Sequence, residues 1–458
     1  MNIIICGTGQ VGTSIAGHLA RDNQITAIDS NAERVQRTAE AHNLRGVIGV
    51  SSHPDILQEA GAKDADMIIA VTESDEVNMV SCQVAHSIFN TPLKIARIRS
   101  RSYLDPQFGD LYASEDLPID HIISPEAEVS EAVSRRLLVP GAFDVANMCD
   151  DKVRIVGVRC HASCPIIDSP LRYLTDLFED LSVTVVAILR GNEVLVTRDG
   201  SVKMQEGDQV YFVCDEKHMG RAMASFGHEE PASRKVLIAG AGTIGGMLAS
   251  DVLTKIENSR CAIIESDKNQ AEAVAHAISG ATIINGDALD PEMLQEGGVR
   301  DADTFVALTN DDEVNALSAL LARRFGAAHT ISLINISSFV PLISTLGVDS
   351  VINPSAITVS SILKHVRRGR IRDIHTIIED RGEVMEVEAM PSSPMVGKAL
   401  RSAKLPKNVS VGAIVREDEV IAPRGNTIVE SNDRVILFAE RGAIGEVEKI
   451  LSVRPDFF

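Results

Sequence analysis

The stretch Ile3-Ile4-Ile5-Cys6-Gly7-Thr8-Gly9-Gln10-Val11-Gly12 constrains the fold more than any other part of this chain. A short apolar run ends on G-x-G-x-x-G, and Val11, Ile15 and Leu19 then recur at helical spacing. Strand, glycine turn and helix together are the setting in which that motif binds phosphate. One glycine permits the tight turn, one lets backbone approach a pyrophosphate, and one lets helix pack on strand. The helix N-terminus adds unpaired N–H groups and partial positive charge. A loop rich in glycine often does no more than turn, but here the pattern occurs twice. Val236-Leu237-Ile238-Ala239-Gly240-Ala241-Gly242-Thr243-Ile244-Gly245 repeats it, with Ile244, Leu248 and Val252 at the same helical spacing.

The repeat extends beyond the glycines. Ser52 to Gly61 matches Leu289 to Gly298, and Asp64 to Asn78 matches Asp301 to Asn315. Pro54 and Pro291, like Thr72 and Thr309, stand 237 positions apart, so the chain is one unit written twice. In the first copy, strands are predicted at 3–6, 24–29, 47–49, 67–72, 94–97 and 121–123. In the second they fall at 236–239, 261–265, 282–285, 304–309, 330–333 and 350–352. Helical segments alternate with them, which argues for a parallel sheet covered on both faces. Each module closes on a proline, Ser124-Pro125 or Asn353-Pro354, placed to open a helix at 126–138 or 355–368.

A smaller unit follows each module. The first is predicted to hold strands at 154–158, 184–189, 193–197 and 209–214, with a helix at 170–181. The second holds strands at 384–388, 410–416, 419–422 and 434–438, with a helix from about Gly397. The fold class is therefore α/β: two tandem Rossmann-like parallel-sheet domains, each followed by a smaller α/β subdomain. The predicted boundaries are 1–123 and 143–227 for the first pair, and 232–348 and 368–453 for the second. A polar linker at 228–233 joins the halves.

Composition narrows the function. With 458 residues the chain has room for two to four domains at about 100–200 residues each. Its formal net charge of −20 opposes a phosphate-backbone partner, and no helix-turn-helix is visible, so nucleic acid is excluded. Aromatics make up 3% and Trp is absent, which leaves little for base or sugar stacking. The one dense basic run, Lys364 to Arg372, reads as a solvated or subunit-contacting helix end, or as a site for anions or lipid headgroups. The seven Cys lack zinc-ligand spacing and read as buried thiols in a reducing compartment. The start carries no signal-peptide pattern, and no apolar run reaches ~18 residues.

The candidate site residues follow from the fingerprint. Asp29 lies 22 positions after Gly7, and Glu265 lies 25 after Gly240. An acid about 20 residues on bonds the ribose hydroxyls and repels a 2′-phosphate, which favours NAD over NADP. The alternative role for each acid is a loop cap. After the third strand, Ser51 stands in half one and Asp287 in half two, where an acid can accept from an adenine amino group. Half one has Val50 and no acid there, so the two pockets differ. Thr72 and Thr309 close the fourth strands, as ribose or phosphate contacts or as helix caps. Arg97 ends the fifth strand of half one, where a guanidinium strengthens pyrophosphate binding. Half two has no arginine there. It is left with another adenine nucleotide, weaker binding, or a structural role. His53 is the one histidine near a crevice, as a base for hydride transfer or as a cap opposite Asp290. A soluble NAD-dependent oxidoreductase is therefore the alternative function. No Walker lysine, G-x-S-x-G or metal cluster accompanies these residues, and no catalytic residue is assigned.

With these residues in view, the chain resembles domains that regulate potassium conductance, the RCK or KTN domains. The resemblance rests on Gly7-x-Gly9-x-x-Gly12, Asp29, Ala60-Gly61, Asp64-Ala65-Asp66, Thr72, Asp75-Glu76-Val77-Asn78 and Ser124-Pro125. Two such pairs in tandem are similar to the cytoplasmic nucleotide-binding subunits of bacterial Trk potassium-uptake systems. That resemblance implies a regulator docked on the inner face of the membrane against a potassium-translocating subunit of the TrkH or TrkG kind. It implies binding of NAD or NADH, with ATP or ADP as further effectors. It also implies a homo-oligomer, as a dimer of dimers or a ring. Its nucleotide-binding positions map onto Gly7 through Val11, Asp29, Thr72 and Arg97, and onto Gly240 through Ile244, Glu265 and Thr309.

Overall fold

The computed structural model describes residues 1–20, 23–112, 116–172, 182–198, 200–366, 371–377, 381–403 and 405–451. They form two compact units. The first is Met1–Glu128 with Pro354–Leu363; the second is Val129–Asn353 with the chain from Lys364 onward.

The first unit holds a six-stranded sheet in the order β3-β2-β1-β4-β5-β6. These strands are β1 Asn2–Cys6, β2 Gln24–Asp29, β3 Arg45–Ile48, β4 Met67–Ala70, β5 Leu93–Arg97 and β6 His121–Ile123, all paired in parallel. Ile3–Cys6 is buried throughout, as a strand covered on both faces should be. The helix Gln10–Leu19 turns Gly12, Ile15, Ala16 and Leu19 inward. Asn31 and Ser74 cap the helices Ala32–His42 and Asp75–Phe89, accepting from Arg34 N and Val77 N, and Asn43 and Asn90 end those helices with left-handed backbone. One face of the sheet builds a core from Ile4, Cys6, Ile28, Leu57, Ile68 and Cys82. Each large apolar side chain buried this way contributes about 1.5–3 kcal/mol. Strand order reverses beside β1, so the glycine loop opens at the switch point of the sheet.

The second unit contains the repeated module with the same topology, β14-β13-β12-β15-β16-β17. Here β12 is Lys235–Ala239, β13 Arg260–Glu265, β14 Thr282–Asn285, β15 Thr304–Ala307, β16 His329–Leu333 and β17 Ser350–Ile352. It also contains both smaller subdomains, each a five-stranded antiparallel sheet. The first has the order β10-β9-β11-β8-β7, from β7 Ala142–Met148, β8 Val153–Arg159, β9 Val183–Arg190, β10 Glu193–Val196 and β11 Gln209–Asp215. The second has the order β18-β19-β22-β20-β21, from β18 Ile371–Ile377, β19 Gly382–Glu388, β20 Val409–Arg416, β21 Glu419–Ile421 and β22 Arg434–Glu440. One core joins the two sheets: Ala146, Val186 and Tyr211 pack with Ile377, Ala413, Ile436 and Phe438. Buried Glu386 accepts from Cys149 N (2.8 Å) across that junction and from Arg434 Nε (2.7 Å) within its own sheet.

The structure adds to the sequence reading and corrects it in places. Strands β7 and β18 open the subdomains, yet Asp144 and Asn147 in the first, and the preceding basic run in the second, hide their apolar alternation. The helix expected from Gly397 does not form. Gly397 has φ +74°, and only a short turn at Leu400–Ser402 is helical, while Val396 and Ala399 form bridges to Val429 and Ile428. Of the helix expected at 170–181, residues 173–181 lie outside the described residues. Residues 367–370 of the basic run lie outside them too, and its end, Arg372, pairs with Glu388 at 2.8 Å. In the segment read as a linker, Ser233 is buried and bonds to Thr304 Oγ1 (2.7 Å).

Candidate functional site

Each module presents the same cradle. Gly7 has φ +102°, and a side chain there would meet Val71 O at 2.9 Å; its N–H donates to Ile28 O (2.7 Å). A Cβ at Gly12 would lie 1.8 Å from Gly7 O. Neither position admits another residue without moving backbone. Gly9 differs, because nothing lies within 4 Å of where its Cβ would be, and no side chain caps the helix that starts at Gln10. The second cradle repeats this with Gly240 at φ +100°, Gly245 at 2.0 Å from Gly240 O, and Gly242 in open space. Two glycines are thus required by the fold and one by the space in front of the helix. That is the arrangement a pyrophosphate needs, so the residues fit a dinucleotide. Gln10 and Thr243 are exposed beside the opening, and Val11 and Ile244 half-buried.

The strand-tip acids hold these loops. Asp29 Oδ2 accepts from Thr8 N (2.7 Å) and Thr8 Oγ1 (3.0 Å), and Oδ1 from Asn31 N (2.9 Å). Glu265 Oε2 accepts from Ala241 N (2.7 Å) and Oε1 from Asp267 N (2.8 Å). A carboxylate has roughly four acceptor sites. Each acid also accepts one hydroxyl, Asp29 from Thr8 across the loop and Glu265 from its neighbour Ser266 (3.4 Å), so each has about one acceptor site left for a ribose.

Thr72 and Thr309 are tied into their own modules. Each donates its N–H (2.8 Å) and hydroxyl (2.7 and 2.8 Å) to one buried asparagine oxygen, Asn78 Oδ1 or Asn315 Oδ1. The same asparagine amides donate to Arg97 O (2.9 Å) and Leu333 O (3.0 Å). Asp75 and Asp312 then accept the backbone N–H groups of the loops after β5 and β16: Arg99 and Ser100 in one, Asn335 and Ile336 in the other. Sequence reasoning gave these asparagines and aspartates no role. Their signal was present in the repeated Asp-Glu-Val-Asn strings, which place two polar residues on the buried face of a helix.

The halves diverge at the remaining positions. Ser51 is buried against Ser81 Oγ (2.9 Å), next to Cys6, whose thiol burial pushes up to about 12 against a hydrogen bond from Ser51. Asp287 is exposed and accepts from Leu289 N (2.8 Å). His53 occupies a helix N-cap position without a capping bond and is exposed, whereas Asp290 caps with Glu292 N. Arg97 Nη2 donates to Glu126 Oε1 at 3.3 Å. Leu333 and Ser355 occupy the corresponding places in half two. Among the described residues, no group of three or more His, Cys, Asp or Glu is arranged to hold a metal ion, and no helix is long and apolar enough to cross a membrane.

A parallel sheet reversing beside a glycine cradle, with an acid at the neighbouring strand tip, defines a Rossmann-type dinucleotide-binding domain, here present twice with an antiparallel partner after each copy. The TrkA-N domain family matches residues 3–125 and 236–354, and the TrkA-C domain family matches 155–227 and 384–452. The chain belongs to the TrkA family of Trk system potassium uptake proteins. It is 45% identical to the Trk system potassium uptake protein TrkA of Azorhizobium caulinodans and 37% identical to that of Halomonas elongata, over 100% of each chain. Its fold matches the crystal structure of the GsuK RCK domain with a TM-score of 0.61 at 17% identity, covering 99% of this chain and 95% of that one. It also matches the GsuK channel bound to NAD with a TM-score of 0.60 at 17% identity, covering 99% and 79%. Family membership supports a part in potassium transport over the oxidoreductase alternative.

Proposed function

We propose that this chain is the nucleotide-sensing regulatory subunit of a potassium-uptake system. On this reading it binds NAD or NADH in the first cradle and an adenine nucleotide, NAD(H), ATP or ADP, in the second. It works at the cytoplasmic face of the membrane, as a homo-oligomer against a TrkH- or TrkG-like translocating subunit. The observation that carries the reading is the pair of open glycine positions, Gly9 and Gly242, in front of the helices, while the motifs' other glycines, Gly7, Gly12, Gly240 and Gly245, are locked by backbone. The fold shared with a channel solved with NAD agrees with it.

The residues divide the work. Backbone N–H groups at the starts of the helices Gln10–Leu19 and Thr243–Lys255 bind phosphate. Asp29 and Glu265 fix the loops and orient a ribose. Asn78 and Asn315 brace the fourth strand against the fifth, so that a change at the cradle is felt at the loops after β5 and β16. A ligand shifts such a system only by its difference in affinity for two arrangements. The test is potassium flux into vesicles holding the membrane subunit with the full-length chain added. NADH or ATP should change the flux with wild type, and the change should vanish with Gly9→Ala and Gly242→Ala together. Flux indifferent to both nucleotides would overturn the reading.

A further inference from the structure

The Arg97–Glu126 pair is poorly made for its surroundings. Only one contact joins them, Nη2 to Oε1 at 3.3 Å, although each side chain is 17% exposed. Guanidinium–carboxylate pairs ordinarily form two bonds nearer about 2.7–2.9 Å. Here Arg97 Nε and Glu126 Oε2 are both buried without a partner. A buried polar atom left unmet costs about 1–3 kcal/mol, so the arrangement calls for an explanation.

The sheet accounts for the proximity. Arg97 pairs with Ile123 in the β5–β6 register, so Glu126, three residues later, comes round to the carboxyl edge beside it. Glu126 sits in the first turn of the helix Pro125–Leu138, where a carboxylate is stabilised by the helix N-terminus as well as by Arg97. It can therefore lose the arginine and still be compensated. Arg97, by contrast, has its backbone fixed through Asn78 to Thr72 and has an idle Nε. The repeat is an internal control. In half two both members are missing together: Leu333 replaces the arginine and Ser355 the glutamate, while the asparagine brace is kept.

We infer that Glu126 is the affinity-setting residue of the first cradle: it occupies Arg97 in place of a nucleotide phosphate and must yield it when phosphate binds. The inference rests on the proposed nucleotide reading and deepens it. Glu126 acts through Arg97, so it is a positioning residue.

Calorimetric titration of the full-length protein with NADH, and separately with adenosine, tests it. In Glu126→Gln, NADH should bind one class of site about 3- to 10-fold tighter, the gain expected when a partly buried competing carboxylate is removed. The other class should not change. Adenosine, which has no phosphate, should bind as to wild type. In an Arg97→Gln background most of the gain from Glu126→Gln should disappear. An unchanged or weaker NADH affinity in Glu126→Gln, or an equal gain with Arg97 absent, would overturn the inference while leaving the cradle reading intact. If wild type bound no NADH, both would fall. Melting temperatures report whether the variants fold, and Glu126→Asp, with a shorter reach, is the second variant; it should tighten NADH binding by a smaller factor.

Discussion

The two halves share a scaffold and differ in what they place around it. Both keep the turn glycines, the strand-tip acid, the asparagine brace and the buried aspartate behind the loop after the fifth strand. Only the first ties its acid to the glycine loop through a side-chain hydroxyl, and only the first has an arginine with its opposing glutamate. What the halves share is therefore what builds a cradle. Where they differ is what tunes it. The difference also reaches the subdomains. Asp144 and Asp373 sit at matching bulged positions in β7 and β18. Burial pushes the Asp144 carboxyl up, but His375 (2.8 Å) and Arg136 (2.8 Å) outweigh it and hold it down at about 2. At Asp373 burial prevails, and the carboxyl is held above the usual range.

Substitutions at the glycines should give the largest effects and should be the same in both halves. Gly12→Ala and Gly245→Ala each force a Cβ against a backbone oxygen, so each should lower stability by about 3 kcal/mol or more and abolish binding in its own module. Gly9→Ala and Gly242→Ala should melt like wild type yet bind no nucleotide there. Thermal melts alongside titrations separate the two outcomes, and a Gly9→Ala protein that still bound NADH in half one would break the shared part of the comparison. Next in size are Asn78→Ala and Asn315→Ala. Each leaves buried donors and acceptors unmet and should cost about 2–3 kcal/mol in denaturant unfolding, in near-equal amounts.

The aspartates should separate the halves by sign. Asp144 titrates lower in the folded chain than its unfolded value of about 3.9. Its stabilisation is present above that value and is lost as pH falls toward 2. Asp144→Asn should cost about 2–3 kcal/mol at neutral pH and flatten the acid limb of the stability curve. Asp373 titrates higher when folded. Its contribution is present below the unfolded value and is lost as pH rises through the folded one, so Asp373→Asn should raise stability at neutral pH. The smallest effect is expected for Thr8→Ala, about 0.5–1.5 kcal/mol in stability, which leaves the first glycine loop tied to its acid by backbone alone, as the second is.

Much of this was legible in the sequence because the chain repeats itself. Two glycine motifs, two acids and a constant spacing fixed the parallel modules and their cradles. The antiparallel strands β7 and β18 are hidden in the sequence because polar residues, the paired Asp144 and His375 among them, stand where apolar alternation would be read. Apolar spacing predicts a helix from Gly397 because it does not reveal a left-handed glycine. Thr72 and Thr309 lie two residues beyond the strands they are expected to close, since β4 ends at Ala70 and β15 at Ala307. That their hydroxyls turn inward to Asn78 and Asn315 depends on side-chain geometry, which spacing alone does not specify. Arg97 stood out in sequence, while its partner Glu126 did not, since the two meet only through the pairing of β5 with β6.

The central claim is that one chain carries two unequal nucleotide sensors, and calorimetry of the full-length protein with NADH tests it most directly. The account predicts two distinguishable sites per chain, the tighter lost in Asp29→Ala and the weaker in Glu265→Ala. A single class of identical sites, or no heat at all, would contradict it.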